Sequence, residues 1–364
     1  MLRYFDYRPG YLELKEQIDD AIRRVLDSGQ LILGPEVRAF EQEFAAYVGV
    51  PGAVGVNSGT DALILALRSL GVGSDAEVIT VANAGVPPVA AIRAAGATPR
   101  FVDVDPETLL MDPAQLEGAR TERTRCVLPV HLYGQPAPLA PILEFAERHG
   151  LGVIEDCAQA HGASYCGAHV GGFGSVGCFS FYPTKNLGAF GDGGLCVCRD
   201  PDLEQRLRAL RNYGFRDDRH AHFEGLNSRL DEIQAAVLRV KLRRLSRAIE
   251  VRRELAQGYI EGLAGSPYRP VELTPDGEHA FHLLVVRAPD RPRLIEHLNR
   301  AEIGFGIHYP EPVHLMEAYS FLGHRAGDLP VTEKACETVI SLPLFPGLEA
   351  GEVEQVVKAL LDCA

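Results

Sequence analysis

From Tyr11 to Asp27, and again from Glu36 to Tyr47, apolar residues recur at intervals of three and four, which places them on one face of a helix. The chain therefore opens with two amphipathic helices. Downstream the rhythm changes to short runs rich in Val and Ile: Ala53–Val56, Glu77–Val81, Thr98–Val104, Arg125–Val130 and Gly152–Glu155. These alternate with helical stretches at Asp61–Leu70, Pro138–His149 and Asp202–Asn212. Strand and helix in alternation predict an α/β fold, a mostly parallel central sheet with helices on both faces. In such sheets ligands gather beyond the carboxyl ends of the strands. Two further strand-like runs, Val176–Phe181 and Gly194–Cys198, flank a turn-rich stretch at Tyr182–Gly193. One long helical pattern then covers Arg229 to Leu263, followed by a Pro-punctuated region from Ser266 and helices near Arg291–Arg300 and Gly351–Leu361. This predicts a large domain over 1–243 and a smaller C-terminal α+β domain over 244–364, with the long helix as hinge.

Composition narrows the range of functions. Apolar residues make up 46% and charged residues 23%, the balance of a compact globular protein. The 36 basic residues fall short of the 49 acidic ones, leaving a net charge of −13, which argues against nucleic acid or an anionic membrane as a partner. Any phosphate must be held locally. The first twenty residues lack a basic stretch followed by an apolar run, and no window approaches the length of a membrane span, so a cytoplasmic location is expected. None of the eight cysteines makes a C-x-x-C pair; they read as reduced, small core residues.

Three signals carry chemistry. Asn57-Ser58-Gly59-Thr60-Asp61 stands between a strand end and a helix start, where unpaired N–H groups and the helix dipole favour an anion. Ile154-Glu155-Asp156 delivers a carboxylate to the end of another strand, where it can hold a proton on the ring nitrogen of a pyridine cofactor. Lys185 follows an apolar strand and precedes a turn loosened by Gly188, Gly191, Gly193 and Gly194, a setting in which an amine can lose its charge and form a Schiff base. Each has a plainer explanation: Ser58 or Thr60 as a helix cap, Asp156 in a cap or ion pair, Lys185 as a solvated charge. The order of nest, acid and lysine is what separates them from ordinary residues.

In that order the sequence resembles the aspartate-aminotransferase fold, and specifically the DegT/DnrJ/StrS-type nucleotide-sugar aminotransferases, which are fold type I enzymes dependent on pyridoxal 5'-phosphate. The resemblance spans nearly the whole chain through VNSGTDAL, PVHLYGQPA, IEDCAQAHGA, CFSFYPTKNLGAFGDGG, GLNSRLDEIQAAVL and HYPEPVH. It implies that Lys185 carries the cofactor, Asp156 pairs with its ring nitrogen, and Gln159, one helical step on, lies against the ring and its phenolic oxygen. Gly59 and Thr60 would donate N–H groups to the phosphate, and Ser180 a hydroxyl. Asn227 would reach the phosphate from a neighbouring subunit, so a homodimer with shared sites is implied. Tyr182, His308 and Tyr309 match positions facing the sugar nucleotide, while His308 with His314 makes a poor metal pair, so no metal is assigned. The implied reaction takes an amino group from an amino acid, glutamate, to a nucleotide-linked keto sugar, with a dTDP-linked 3-keto-6-deoxyhexose the closest fit. A 4-keto sugar or cyclitol acceptor, a dehydratase with histidine in place of the lysine, and a regulator without turnover are the alternatives; Lys185 and Asp156 argue against the last two. One departure stands out: the aromatic residue that similar enzymes stack on the cofactor ring is replaced by Gly85-Val86-Pro87-Pro88.

Overall fold

The computed structural model describes residues 1–216 and 218–364. Two helices, α1 (Arg8–Ser28) and α2 (Pro35–Val48), precede the sheet, each ending on a left-handed glycine, Gly29 and Gly49, that stops it. Next come β1 (Gly52–Val56), α3 (Gly59–Ser69), β2 (Glu77–Thr80), β3 (Thr98–Phe101), β4 (Thr124–Val127) and β5 (Gly152–Asp156). A small hairpin, β6 (Ser164–Tyr165) and β7 (Ala168–His169), separates these from β8 (Val176–Ser180) and β9 (Gly194–Cys198). Seven strands form one sheet in the order β1-β9-β8-β5-β4-β2-β3. Pairings among β3, β2, β4, β5 and β8 are parallel, and β9 alone runs antiparallel to both neighbours. Strands β1, β2 and β9 are buried along their whole length, as a sheet covered on both faces requires.

Register is what positions the site. Val56 and Ser180 both pair with Gly194, and Asp156 pairs with Cys178, so the carboxyl ends of β1, β8 and β5 finish side by side. Gly194 permits this: a Cβ there would lie 2.2 Å from the carbonyl oxygen of Ser58.

The C-terminal part holds a second sheet, β10 (Arg269–Pro270), β12 (Leu284–Arg287) and β13 (Val339–Leu342), while β11 (Gly277–Glu278) joins the β6–β7 hairpin. Tyr259, Leu284, Leu294, Ile340 and Leu360 share its core, which also takes in Leu2 from the amino terminus.

Two local expectations need correcting, the continuous helix and the eight core cysteines, and one segment not assigned from sequence proves helical. The helical pattern from Arg229 to Leu263 is not one helix: Glu232–Leu242 and Leu245–Gly262 are separated by a turn at Arg243 and Arg244, with neither Gly nor Pro to announce it. The segment after Gly85 is a helix, Val86–Ala94; Pro87 and Pro88 fall in its first turn, where a missing N–H costs nothing. Seven cysteines are buried, but Cys166 is exposed, in the turn of the β6–β7 hairpin. No described helix is long and apolar enough to cross a membrane.

Candidate active site

The nest is built by a cap. Ser58 is the N-cap of α3, and its hydroxyl accepts the N–H of Asp61 at 3.1 Å. Asp61 is in turn braced by Ser228, whose hydroxyl donates to Oδ2 at 2.7 Å and accepts the N–H of Asn57 at 3.2 Å. The N–H groups of Gly59 and Thr60 are left without an acceptor among the described residues. Gly59 is required here, because a Cβ would sit 2.6 Å from that of Ser180. The nest and the Ser180 hydroxyl therefore face the same space. Capping and anion binding, rivals at the level of sequence, draw on different N–H groups, so the cap does not exclude an anion here.

Asp156 and Lys185 approach that space from β5 and from the turn after β8. Asp156 is buried, and burial raises its carboxyl above the ordinary range despite opposing pulls from the Ala158 N–H, Lys185 and His131. Lys185 is half-buried; burial lowers its amine to about 8, partly countered by Asp156. The two charges feel each other, yet no ion pair within 4 Å joins them and the amine of Lys185 donates no hydrogen bond among the described residues. Buried His161 and His282 lie within reach of the same charge. Burial and then Lys185 bring His161 down to about 3 and His282 well below its usual value, so both are neutral.

Gln159 is not one helical step from Asp156, since residues 157–163 form turns rather than helix. Its amide is fixed: Oε1 accepts the Tyr133 N–H at 2.7 Å and Nε2 donates to the Tyr309 hydroxyl at 3.2 Å. Tyr133 also donates its hydroxyl to the His308 carbonyl at 2.7 Å, which ties the C-terminal segment to the sheet. His308 bonds Ser341 at 2.8 Å, and burial lowers it to about 4. The ring of Tyr309 lies on Gly85, where a Cβ would meet its Cζ at 2.9 Å. The aromatic ring against this segment therefore comes from Tyr309, at a position where a Cβ would leave it no room. Tyr182 is 53% exposed, and Asn227, beside buried Ser228 in the chain, is exposed.

Sequence reasoning missed the clamp behind the site. Glu155, on the opposite face of β5 from Asp156, accepts N–H groups from Gly171 (2.8 Å), Phe173 (2.8 Å) and Gly174 (2.7 Å) and pairs with His131 at 3.1 Å. His131 accepts the Ala137 N–H on Nδ1, so Nε2 carries the proton given to Glu155. Cys157 completes a buried cluster of three potential metal ligands, but the carboxylate and imidazole are already engaged by protein donors and acceptors. A second acid beside Asp156 was the only signal in the sequence.

An anion nest, an amine lowered by burial to about 8 and a buried acid near adjoining strand ends suit an α/β enzyme that works through a pyridoxal-type cofactor, and the cradle at Gly59 and the unengaged amine fit that group. The chain belongs to the DegT/DnrJ/EryC1/StrS aminotransferase family, whose profile matches residues 12–361. It is 48% identical to a dTDP-3-amino-3,4,6-trideoxy-alpha-D-glucose transaminase of Streptomyces venezuelae, over 99% of this chain and 96% of that one. The crystal structure of DesV from S. venezuelae superposes with a TM-score of 0.97 at 47% identity, covering 99% and 98% of the two chains. That of NtdA from Bacillus subtilis, with bound cofactor PMP, gives 0.91 at 30% identity over 96% and 82%. The chain is thus a pyridoxal-phosphate-dependent aminotransferase.

Proposed function

We infer that this enzyme moves an amino group from glutamate to a nucleotide-linked keto sugar, with a dTDP-linked 3-keto-6-deoxyhexose as acceptor. The observation that carries the reading is the register that brings the nest, Ser180 and Asp156 to one edge of the sheet, with the Asp156 charge acting on a Lys185 amine that donates no hydrogen bond among the described residues. Similarity to a dTDP-sugar transaminase supports the choice of acceptor.

Lys185, Asp156, Gly59, Thr60, Ser180 and Gln159 would hold the cofactor. Bound there, pyridoxal phosphate supplies a covalent link to amines and an electron sink. The chain's own groups do the rest. Asp156, shielded from water, holds a proton on the ring nitrogen. Lys185, whose amine is neutral above about pH 8, accepts a proton from the substrate carbon and returns it. Gln159, locked by Tyr133, presents its amide edge towards the same space as the Tyr309 hydroxyl. Tyr182, His308 and Tyr309 would meet the sugar. Asn227, exposed on its own subunit, would complete the phosphate site of a second copy in a homodimer. We take the break at Arg243–Arg244 as the boundary between domains 1–243 and 244–364.

The test is amine transfer from glutamate to a panel of dTDP- and UDP-linked 3-keto and 4-keto sugars and a cyclitol ketone. Turnover is expected with the dTDP-linked 3-keto sugar, and Lys185→Ala should lower it by at least about 10³-fold. Preference for another acceptor would replace the reading of the substrate, and wild-type turnover by the variant would end the mechanism.

A further inference from the structure

The amino-terminal segment carries Tyr4 to the edge of the site. Leu2 bridges Ile303: its N–H donates to the Glu302 carbonyl at 2.9 Å, and its carbonyl accepts the Gly304 N–H at 2.8 Å. Tyr4 then lies across two glycines. A Cβ at Gly304 would come within 2.6 Å of the Tyr4 nitrogen, and one at Gly306 within 2.9 Å of its Cζ. The same Cβ at Gly306 would meet Cε1 of His308 at 2.6 Å. Bare backbone at 306 is what lets the two rings approach, with centroids 6.0 Å apart and planes 25° from parallel. Behind them stands Ser341 of β13, buried and bridged to Gly306 by two backbone hydrogen bonds of 3.0 and 2.8 Å. Its hydroxyl meets Nδ1 of His308 at 2.8 Å.

The protons on this row of groups have one order that leaves none stranded. The Tyr4 hydroxyl is buried and closes no hydrogen bond in this structure. Burial raises the phenol above its ordinary range, and the Ser341 hydroxyl is the first influence opposing the rise, so Tyr4 keeps its proton beside Ser341. A serine hydroxyl gives one proton and can accept others. If Nδ1 gave its proton to Ser341, Ser341 would turn its own to Tyr4, and the phenol proton would stay buried without an acceptor, at a cost in free energy. The order Tyr4 to Ser341 to Nδ1 avoids this. It leaves the single proton of the neutral ring on Nε2. Burial and then the Lys185 charge keep the ring neutral, and Nε2 is neither buried nor bonded among the described residues.

We propose that Tyr4 and Ser341 are positioning residues that fix His308 with its proton on Nε2, making the ring a hydrogen-bond donor to a lone pair on a sugar oxygen. A carbonyl oxygen has lone pairs and no proton, so Nε2–H can hold a keto group where a bare Nε2 cannot. The other tautomer would select a hydroxyl proton instead. The relay thereby sets which oxygen of the acceptor this side of the site takes.

The assignment rests on the keto-sugar acceptor inferred above, and two measurements separate the two. In holoenzyme isotopically labelled at the histidine nitrogens, magnetic resonance distinguishes a protonated ring nitrogen from a bare one, with His308→Gln identifying the signals. At pH 7 the wild type should show Nε2 protonated and Nδ1 bare, whereas Ser341→Ala and Tyr4→Phe should each show both tautomers. The second measurement follows the cofactor absorbance through each half of the reaction. With glutamate, both variants should stay within about threefold of wild type. With the dTDP-linked 3-keto sugar, the half-saturating concentration should rise roughly tenfold in Ser341→Ala and about threefold in Tyr4→Phe, the scale of one neutral hydrogen bond. Tyr4→Phe keeps the ring on its two glycines and removes one oxygen, so it tests the relay even if Ser341→Ala loosens β13. A proton on Nδ1 in the wild type overturns the proposal. Equal losses in both halves of the reaction overturn it as well, in favour of a merely structural role, as does an unchanged response to the sugar in both variants. A proton fixed on Nε2 that both variants release, in an enzyme that turns over no nucleotide sugar, keeps the relay and removes the acceptor reading.

Discussion

Glu155 and Asp156 are consecutive residues of one strand, both acidic and both buried, yet their carboxyls move in opposite directions. Burial pushes both up. At Glu155 the His131 hydrogen bond and the N–H groups of Gly174 and Gly171 outweigh it, and the carboxyl falls below its ordinary value. At Asp156 one N–H, from Ala158, and the more distant charges of Lys185 and His131 do not, and the carboxyl stays high. One face of the strand is saturated with donors and fixes the loop at 171–174; the other is left short of them. A buried acid short of partners is costly to the fold and useful to a reaction that brings a cation to it.

The largest effect expected from this contrast is on turnover. Asp156→Asn should lower amine transfer by about 10²–10⁴-fold, the scale on which acid–base groups act, without lowering the melting temperature of the cofactor-free protein at pH 7. The sign follows from its raised carboxyl: stability falls as pH rises from the unfolded to the folded value, so at pH 7 the charge is a burden that Asn removes. Glu155→Gln should do the opposite to the fold. Its lowered carboxyl contributes stability above the unfolded value, lost as pH falls through the folded one. An amide offers one acceptor oxygen to four donors, so a loss of about 3–5 kcal/mol is expected, measured by denaturant unfolding. If the two variants lost stability equally, the division of labour along β5 would be wrong.

The same contrast explains what could be read from sequence. Asp156, Lys185 and the Gly59 nest were legible because each sits at a boundary that local rules mark: a strand end, a glycine-rich turn, a capped helix start. Glu155 was not, because its partners lie at 131 and at 171–174, and only the folded sheet brings them together. Tyr309 against Gly85 is a contact across 224 positions of chain, visible beforehand only as an absent aromatic. The helix break at Arg243–Arg244 left no local mark either, since both arginines are compatible with a continuous helix. The parallel core was readable from periodicity, while Val86–Ala94 was hidden by prolines that are harmless in a first turn.

The smallest expected effect tests whether Lys185 belongs with Asp156 on the underpaired side. In the folded, cofactor-free protein its amine lies near 8, below the value of about 10.4 for a free lysine side chain. Below pH 8 the amine is charged in both states and the folded state bears the whole cost of burying it. Between the two values the unfolded chain binds more protons, so stability rises with pH. Lys185→Met keeps the volume and removes the charge. It should melt higher than the parent at pH 7, by on the order of 2 °C, and the gap should narrow at pH 10, where the parent's amine has already lost its proton in the fold. A gap of the same size at both pH values would mean that the methionine gains by packing alone, and that the amine is not held near neutrality by its surroundings.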